Sequence, residues 1–193
     1  MDASYKLGWI EVVTGPMFAG KSEELLRRIK RLEYAKQKFL VFRPRLDNRY
    51  SLDELVSHNK NRYKSILIDQ ASDILKYIRD DINAVIVDEI QFLDEKIVKI
   101  SEQLASKGLR VILGGLDTDF RGEPFEVTAK LIAISEFVNK LTAICVKCGS
   151  PATKTQRIVN QKPASYFDPI VVVGAEEQYE PRCRHCHEVM DKN

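Results

Sequence analysis

The chain has 193 residues, of which 44% are hydrophobic and 30% charged, and its formal net charge is +2. These are globular proportions, enough for one large domain or for one with a small appendage, and too nearly neutral to mark the whole surface as a nucleic-acid binder. No apolar run approaches the roughly 18 residues of a membrane helix and the N-terminus lacks a signal-peptide core, so a cytoplasmic setting with reduced thiols is expected.

The first element is an apolar run over residues 9–13, which reads as a buried strand. It leads into Gly15, Pro16, Met17, Phe18, Ala19, Gly20, Lys21 and Ser22, a complete G-x-x-x-x-G-K-[ST] phosphate-binding loop. Residues 22–36 then carry Leu25, Leu26, Ile29 and Leu32 at helical spacing. A loop between strand and helix exposes free backbone N–H groups and the positive end of the helix dipole to an anion. Lys21 is then suited to the β- and γ-phosphates of a nucleotide, and the Ser22 hydroxyl to Mg²⁺. An ordinary glycine-rich turn is the alternative, and the flanking strand and helix weigh against it.

The middle of the chain alternates strand and helix. Residues 39–43 form a short apolar strand ending at Pro44. The stretch 43–62, rich in Arg, Asn, Asp and Lys, is expected to close over phosphates or to be a mobile solvated loop. Residues 66–68 make another strand. Ser72 is placed to cap a helix reaching residue 79, with Ile74, Leu75 and Ile78 inward. Residues 84–87 are apolar on both faces, the mark of a parallel strand covered by helices. Asp94 is placed to cap the next helix, with Ile97, Val98, Ile100 and Leu104 inward and Gly108 as its stop; a strand over 109–113 follows. The pattern predicts a P-loop α/β core with a mainly parallel sheet and the ligand at the strands' C-terminal ends.

The strand over 84–87 delivers Asp88 and Glu89 to that edge in the manner of a Walker B segment. Asp88 is suited to hold the Mg²⁺ shared with Ser22, and Glu89 to act as a base. A base that deprotonates water makes an NTPase, and one that deprotonates a substrate hydroxyl makes a kinase. These two motifs do not choose between them.

The only cysteines are Cys145, Cys148, Cys183 and Cys186, two C-x₂-C pairs that can supply four thiolates to a structural Zn²⁺. Such a metal would staple the two ends of the long loop 149–182, an arrangement suited to a substrate-covering lid. His185 and His187 flank the last cysteine as alternative ligands, but the knuckle spacing favours Cys186. Disulfides are the competing assignment in an oxidising setting, and a redox pair is disfavoured because neither motif begins a predicted helix.

The order of these motifs carries a resemblance. The phosphate loop, then Asp47-Asn48-Arg49-Tyr50, then Asp88-Glu89-Ile90-Gln91-Phe92, then Gly115-Leu116-Asp117-Thr118-Asp119-Phe120-Arg121-Gly122, then the two cysteine pairs follow one another as in thymidine kinases. Over residues 9–187 the chain resembles the zinc-containing type found in many bacteria and in animal cytosol. The resemblance implies a nucleotide-binding domain over 1–143 and a zinc-binding lasso domain over 144–193. It implies that residues 15–22 bind the triphosphate, with Asp47, Asn48 and Arg49 as a second nucleotide-contacting segment. Asp88, Glu89, Ile90 and Gln91 form the third. Glu89 would take the proton of the thymidine 5′-hydroxyl as it attacks the γ-phosphate of ATP, giving dTMP and ADP in deoxynucleoside salvage. Phe120 is the expected substrate-contacting aromatic. Ile170, Val171, Val172, Val173, Gly174 and Tyr179 belong to the lasso, which covers thymine largely through backbone hydrogen bonds. Phe92 and Phe125 are expected to pack beside the pocket. A homotetramer inhibited by dTTP is also implied, with no nucleic-acid or membrane partner.

A nucleic-acid-dependent ATPase with a zinc ribbon is the rival function. It requires a basic, aromatic-laced surface near the cysteines. Lys147, Lys154, Arg157, Lys162, Arg182 and Arg184 are offset there by Asp168, Glu176, Glu177, Glu180 and Glu188, a mixture that favours a small-molecule lid.

Overall fold

Aliphatic residues on both faces of five short segments force the sheet they form to be covered on both sides. The computed structural model describes residues 7–45, 54–56, 62–170 and 178–192. In chain order its first elements are β1 (Trp9–Thr14), α1 (Lys21–Tyr34), β2 (Phe39–Pro44), β3 (Glu54–Val56), β4 (Arg62–Lys64), β5 (Ile66–Ile68) and β6 (Ala84–Val87). They continue with α2 (Lys96–Ser106), β7 (Arg110–Gly115), α3 (Glu126–Ile134) and β8 (Phe137–Lys140). Six of the strands form one sheet in the order β5-β2-β6-β7-β1-β8, every described pairing parallel. The chain crosses over between β1 and β2 through α1 and between β6 and β7 through α2, as a doubly wound α/β fold requires. β3 and β4 pair as a separate antiparallel hairpin.

The side-chain alternation of the strands divides the core. Val13, Ala84, Ile86 and Ile112 face α1 and pack on Leu25, Leu26, Ile29 and Leu32. The alternate residues Val12, Val85, Val87, Val111 and Leu113 face the other side and meet Ile97, Ile100 and Leu104 of α2 and Leu131 of α3. The helical stripes expected from sequence are therefore the buried stripes.

One segment differs from expectation. Residues 71–77 form a 3₁₀ helix rather than a longer α-helix capped by Ser72. The Asp73 carboxylate accepts the N–H groups of Asp69 and Gln70, each at 3.2 Å, and sets the turn. Three residues per turn bring Ala71 and Ile74 inward together and swing Leu75 out, 41% exposed. Glu95, not Asp94, is the residue that precedes α2, but the Asp94 carboxylate accepts from Lys96 N–H at 3.1 Å and from Ala71 N–H at 2.8 Å and so ties the start of that helix to the 3₁₀ turn. Gly108 ends the run at a φ of 84°, as its position past the last inward residue implied.

Beyond β8 the chain changes architecture. β9 (Ala143–Ile144) pairs antiparallel with β10 (Pro151–Ala152), and β11 (Lys154–Val159) lies between β12 (Lys162–Pro163) and β13 (Gln178–Arg182). Ala143, Cys145, Ala152 and Cys183 form a small third core with Ala19 and Cys186 at its border. No helix among the described residues is long and apolar enough to cross a membrane.

A buried ionic cluster joins β1, β7 and α1 on the α1 side of the sheet. Glu11 is bound by the Arg28 guanidinium, by Arg110 Nε at 2.5 Å and by Trp9 Nε1 at 2.5 Å. Burial pushes the Glu11 carboxyl upward, but hydrogen bonds from Arg110 and Trp9 and the charges of Arg110 and Arg28 outweigh it and hold it below its usual range. Removing one partner strips a charged hydrogen bond from a buried carboxylate. Arg28→Met is expected to lower unfolding free energy by about 1.5–3 kcal/mol in urea denaturation, with Arg110 limiting the loss. An unchanged urea midpoint would show that the cluster contributes nothing to stability.

Candidate active site and cysteine cluster

Parallel register brings the candidate groups to one edge. Val87 pairs with Leu113 and Leu113 with Val12, so β6, β7 and β1 run side by side and end together. The chain leaves β1 into the phosphate loop, β6 into Asp88 and Glu89, and β7 into the segment 116–125.

The phosphate loop is built by backbone conformations that few residues adopt. Gly15 has a φ of 143° and lies so close to Leu141 that a Cβ would sit 2.4 Å from the Leu141 carbonyl oxygen. Phe18 is left-handed at φ 65° and half exposed, and Gly20 is left-handed at φ 80° where α1 begins. Lys21 arches back over the loop, its Nζ donating to the Pro16 carbonyl at 2.7 Å. Met17 N–H donates to Thr155 Oγ1 at 3.0 Å, a direct tie from this loop to β11.

Asp88 points toward α1, and its Oδ1 lies so near Gly114 that a Cβ there would be 3.1 Å away. It is 4% exposed. Burial first, and the adjacent Glu89 charge second, push its carboxyl up to about 7, against the opposing pull of Glu89 N–H, Arg43 and Lys21. A carboxylate so destabilised beside a phosphate loop is matched to a cation. Arg43, 2% exposed at the end of β2, is a charge that motif reading missed. Glu89 is left-handed at φ 55°. Gln91 Nε2 donates to Glu89 Oε2 at 2.5 Å while Gln91 Oε1 accepts Leu116 N–H at 3.1 Å. Gln91 therefore holds Glu89 against the exit of β7. Ile90 is fully buried under this turn, and Phe92 is half-buried beside it.

The 116–125 segment is organised around Asp119, which is 5% exposed. Its carboxylate accepts Arg121 N–H, Glu123 N–H and the Arg121 guanidinium at 2.8–3.0 Å. Phe120 is 4% exposed, with the guanidinium carbons of Arg157 and Arg121 at 5.1 and 5.8 Å from its ring. Arg157 and Gln156 of β11 are buried, and Arg157 Nη1 donates to the Pro169 carbonyl at 2.6 Å. Thr155, Gln156 and Arg157 carry no motif, and sequence reading missed all three as site neighbours. Ile170 is 39% exposed and Tyr179 half-buried on β13. Asp47, Asn48, Arg49, Val171, Val172, Val173 and Gly174 lie outside the described residues.

Cys145, Cys148, Cys183 and Cys186 are all free thiols whose sulfurs lie within 4.8 Å of one another. Cys148 Sγ and Cys183 Sγ are 3.6 Å apart. A tetrahedron with Zn–S bonds of about 2.3 Å has edges of about 3.8 Å, so the donor set fits one such metal. Burial raises the Cys145 thiol, but backbone hydrogen bonds from Cys183, Lys147 and Cys148 override it and bring it down to about 6. Cys186 moves the opposite way, up to about 12, through its hydrogen bonds to Cys183 and Cys148. Four clustered sulfurs divide their protons unequally, and a cation would let all four ionise. Of the two histidines, His187 turns to the Phe120 carbonyl at 2.8 Å, and neither His185 nor His187 belongs to the sulfur cluster.

A parallel α/β sheet with a glycine-rich loop at its C-terminal edge is a P-loop fold. A family model described as thymidine kinase matches residues 8–187, nearly the whole length, and the chain belongs to the thymidine kinase family. It is an enzyme of that kind, acting in thymidine phosphorylation.

The Asp88 environment has a pH signature. The unfolded carboxyl titrates near 3.8 and the folded one near 7, so the folded state binds the extra proton between those values. Stability therefore falls as pH rises through that window, and the whole penalty is present above about 7. In denaturation series run in EDTA, the stability of Asp88→Asn relative to wild type should rise from pH 4 to pH 8. A difference that stays flat across that range would mean that Asp88 is ionised throughout.

Proposed function

We propose that the enzyme transfers the γ-phosphate of ATP to the 5′-hydroxyl of thymidine, giving dTMP and ADP in deoxynucleoside salvage. The observation that carries this reading is the shared edge where the phosphate loop, Glu89 and the Phe120 segment emerge from three neighbouring parallel strands. Residues 15–22 would hold the triphosphate through the backbone N–H groups at the start of α1. Ser22 and Asp88 would hold a Mg²⁺, which would supply charge neutralisation to the phosphates. Lys21 would leave the Pro16 carbonyl for the γ-phosphate and stabilise the charge that develops there. Asp47, Asn48 and Arg49 are assigned to the nucleotide as well.

Glu89 is the proposed base. Its carboxylate accepts the 5′-hydroxyl proton, the freed oxygen forms the new bond to γ-phosphorus, and the bond to the ADP oxygen breaks. Gln91 orients Glu89 for this task. Thymidine would lie against Phe120 under the lasso residues Ile170–Gly174 and Tyr179, where backbone groups match the donor and acceptors of the thymine imide. A single Zn²⁺ on the four cysteines would hold that C-terminal lid. We extend the reading to a cytoplasmic homotetramer inhibited by dTTP, with no nucleic-acid partner.

The test is a nucleoside panel with ATP and Mg²⁺, scored for 5′-monophosphate, where thymidine should be the preferred acceptor. Turnover that ignores thymidine and requires DNA or RNA would support a nucleic-acid-dependent ATPase instead. Glu89→Gln keeps size and hydrogen bonding but loses basicity, and kcat should fall about 10²–10⁴-fold with little change in thymidine affinity. Retention of most of wild-type kcat would reduce Glu89 to a positioning role.

The metal has its own check. Elemental analysis should find one zinc per chain, lost in Cys183→Ser together with thymidine affinity, while ATP binding largely survives because the α/β core has its own packed sheet. A fully active, zinc-free enzyme would overturn the assignment.

A further inference from the structure

The residues that follow the cysteine cluster reach across to the segment that carries Phe120. His187, next in sequence to Cys186, places Nε2 2.8 Å from the Phe120 carbonyl oxygen. A carbonyl only accepts, so Nε2 carries the proton of this bond. Lys192 donates from Nζ to the Arg121 carbonyl at 2.8 Å and to Glu123 Oε1 at 2.9 Å. Gly122 lies between these anchors at φ 81°, and a Cβ there would stand 3.7 Å from His187 Cε1 and 3.2 Å from Lys154 Nζ. The segment has its own internal order: Asp119 gathers two N–H groups and the Arg121 guanidinium from inside the turn. The anchors from the segment after the last cysteine act at consecutive carbonyls, those of Phe120 and Arg121.

These contacts join two parts of the chain with independent cores. The Phe120 segment leaves β7 of the parallel sheet, and His187 belongs to the cysteine-bearing unit, whose small core is separate from the two large clusters. A carbonyl fixed at residue 120 fixes the peptide plane on which the Phe120 side chain is mounted. The Phe120 ring is then wedged by Arg157 from β11, which belongs to the same C-terminal unit.

We propose that His187 is a positioning residue for the nucleoside pocket: its ring, delivered by the cysteine cluster, holds the Phe120 carbonyl and thereby sets the aromatic wall against the base. The proposal rests on the reading of Phe120 as a thymidine-contacting residue. It makes the sulfur cluster more than a staple for the lid, since the residue after its last cysteine also shapes the floor.

The test compares His187→Ala, His187→Gln and Phe120→Leu in the full-length enzyme, measuring KM for thymidine, KM for ATP, kcat and bound zinc. His187→Ala should raise thymidine KM about five- to tenfold, the worth of one buried hydrogen bond, with ATP KM and kcat within about twofold of wild type. His187→Gln, whose amide N–H can reach the same carbonyl, should recover thymidine KM to within about twofold, and zinc content should be equal in all variants. A normal thymidine KM in His187→Ala, an equal rise in ATP KM, no recovery with Gln, or loss of zinc each overturns the proposal. Phe120→Leu separates the two readings. A raised thymidine KM there beside a normal one in His187→Ala removes His187 alone. An unchanged KM in Phe120→Leu removes Phe120 from the pocket, and with it the route proposed for His187.

Discussion

Parallel pairing of β6, β7 and β1 is the constraint on which the rest of the molecule depends. Parallel strands cannot be joined by tight turns, so each must be followed by a crossover that returns over a face of the sheet. All three strands then end at one edge, and whatever follows them is brought together there. Thr14 pairs with Gly115 at the end of this register, so the phosphate loop and the 116–125 segment start side by side. Asp88 and Glu89 follow Val87 on the third strand, opposite Gly114 and Gly115. Small residues at 114 and 115 leave room for Asp88 and Gln91, which approach within contact distance of where a side chain would be.

That gathering has an electrostatic cost. Two adjacent carboxylates, one of them buried, raise the free energy of the ionised state, and Arg43 and Lys21 offset only part of it. Backbone strain accompanies the charge. Phe18 and Glu89 are both left-handed, a conformation that side chains with a Cβ adopt rarely and that clusters at functional sites. The opposite end of the sheet is arranged in the contrary sense, with Glu11 ringed by two arginines and an indole so that its charge is satisfied internally. One end of the sheet is stabilised by its charges, and at the other burial and a neighbouring carboxylate disfavour the ionised Asp88.

The C-terminal unit works through few but directed contacts. Thr155 bonds the phosphate loop at Met17, His187 bonds Phe120, and Arg157 lies over the Phe120 ring. Among the described residues its own core is a few small residues around the sulfurs. A metal on the four thiols would supply what the hydrophobic effect cannot at that size. Order imposed at the cysteines by such a metal would reach the two loops that border the candidate site through these contacts.

Local patterns were legible in the sequence because their physics is local. The phosphate loop needs glycines at set offsets between strand and helix, and the carboxylate pair needs only an apolar strand before it. The cysteine pairs announce their chemistry by spacing, and the family resemblance followed from the order of these signals. Helical stripes at Leu25–Leu32 and Ile97–Leu104 reported their buried faces for the same reason. The 3₁₀ turn at residues 71–77 escaped because hydrogen bonds accepted by Asp73 from Asp69 and Gln70, rather than apolar period, decide its pitch. Thr155, Arg157, Arg43, Gln91 as the tether of Glu89, and His187 as a partner of Phe120 have no such signature. Each acts through contacts with residues tens of positions away or across a turn, and only the pairing of strands and the packing of the C-terminal unit bring those groups together.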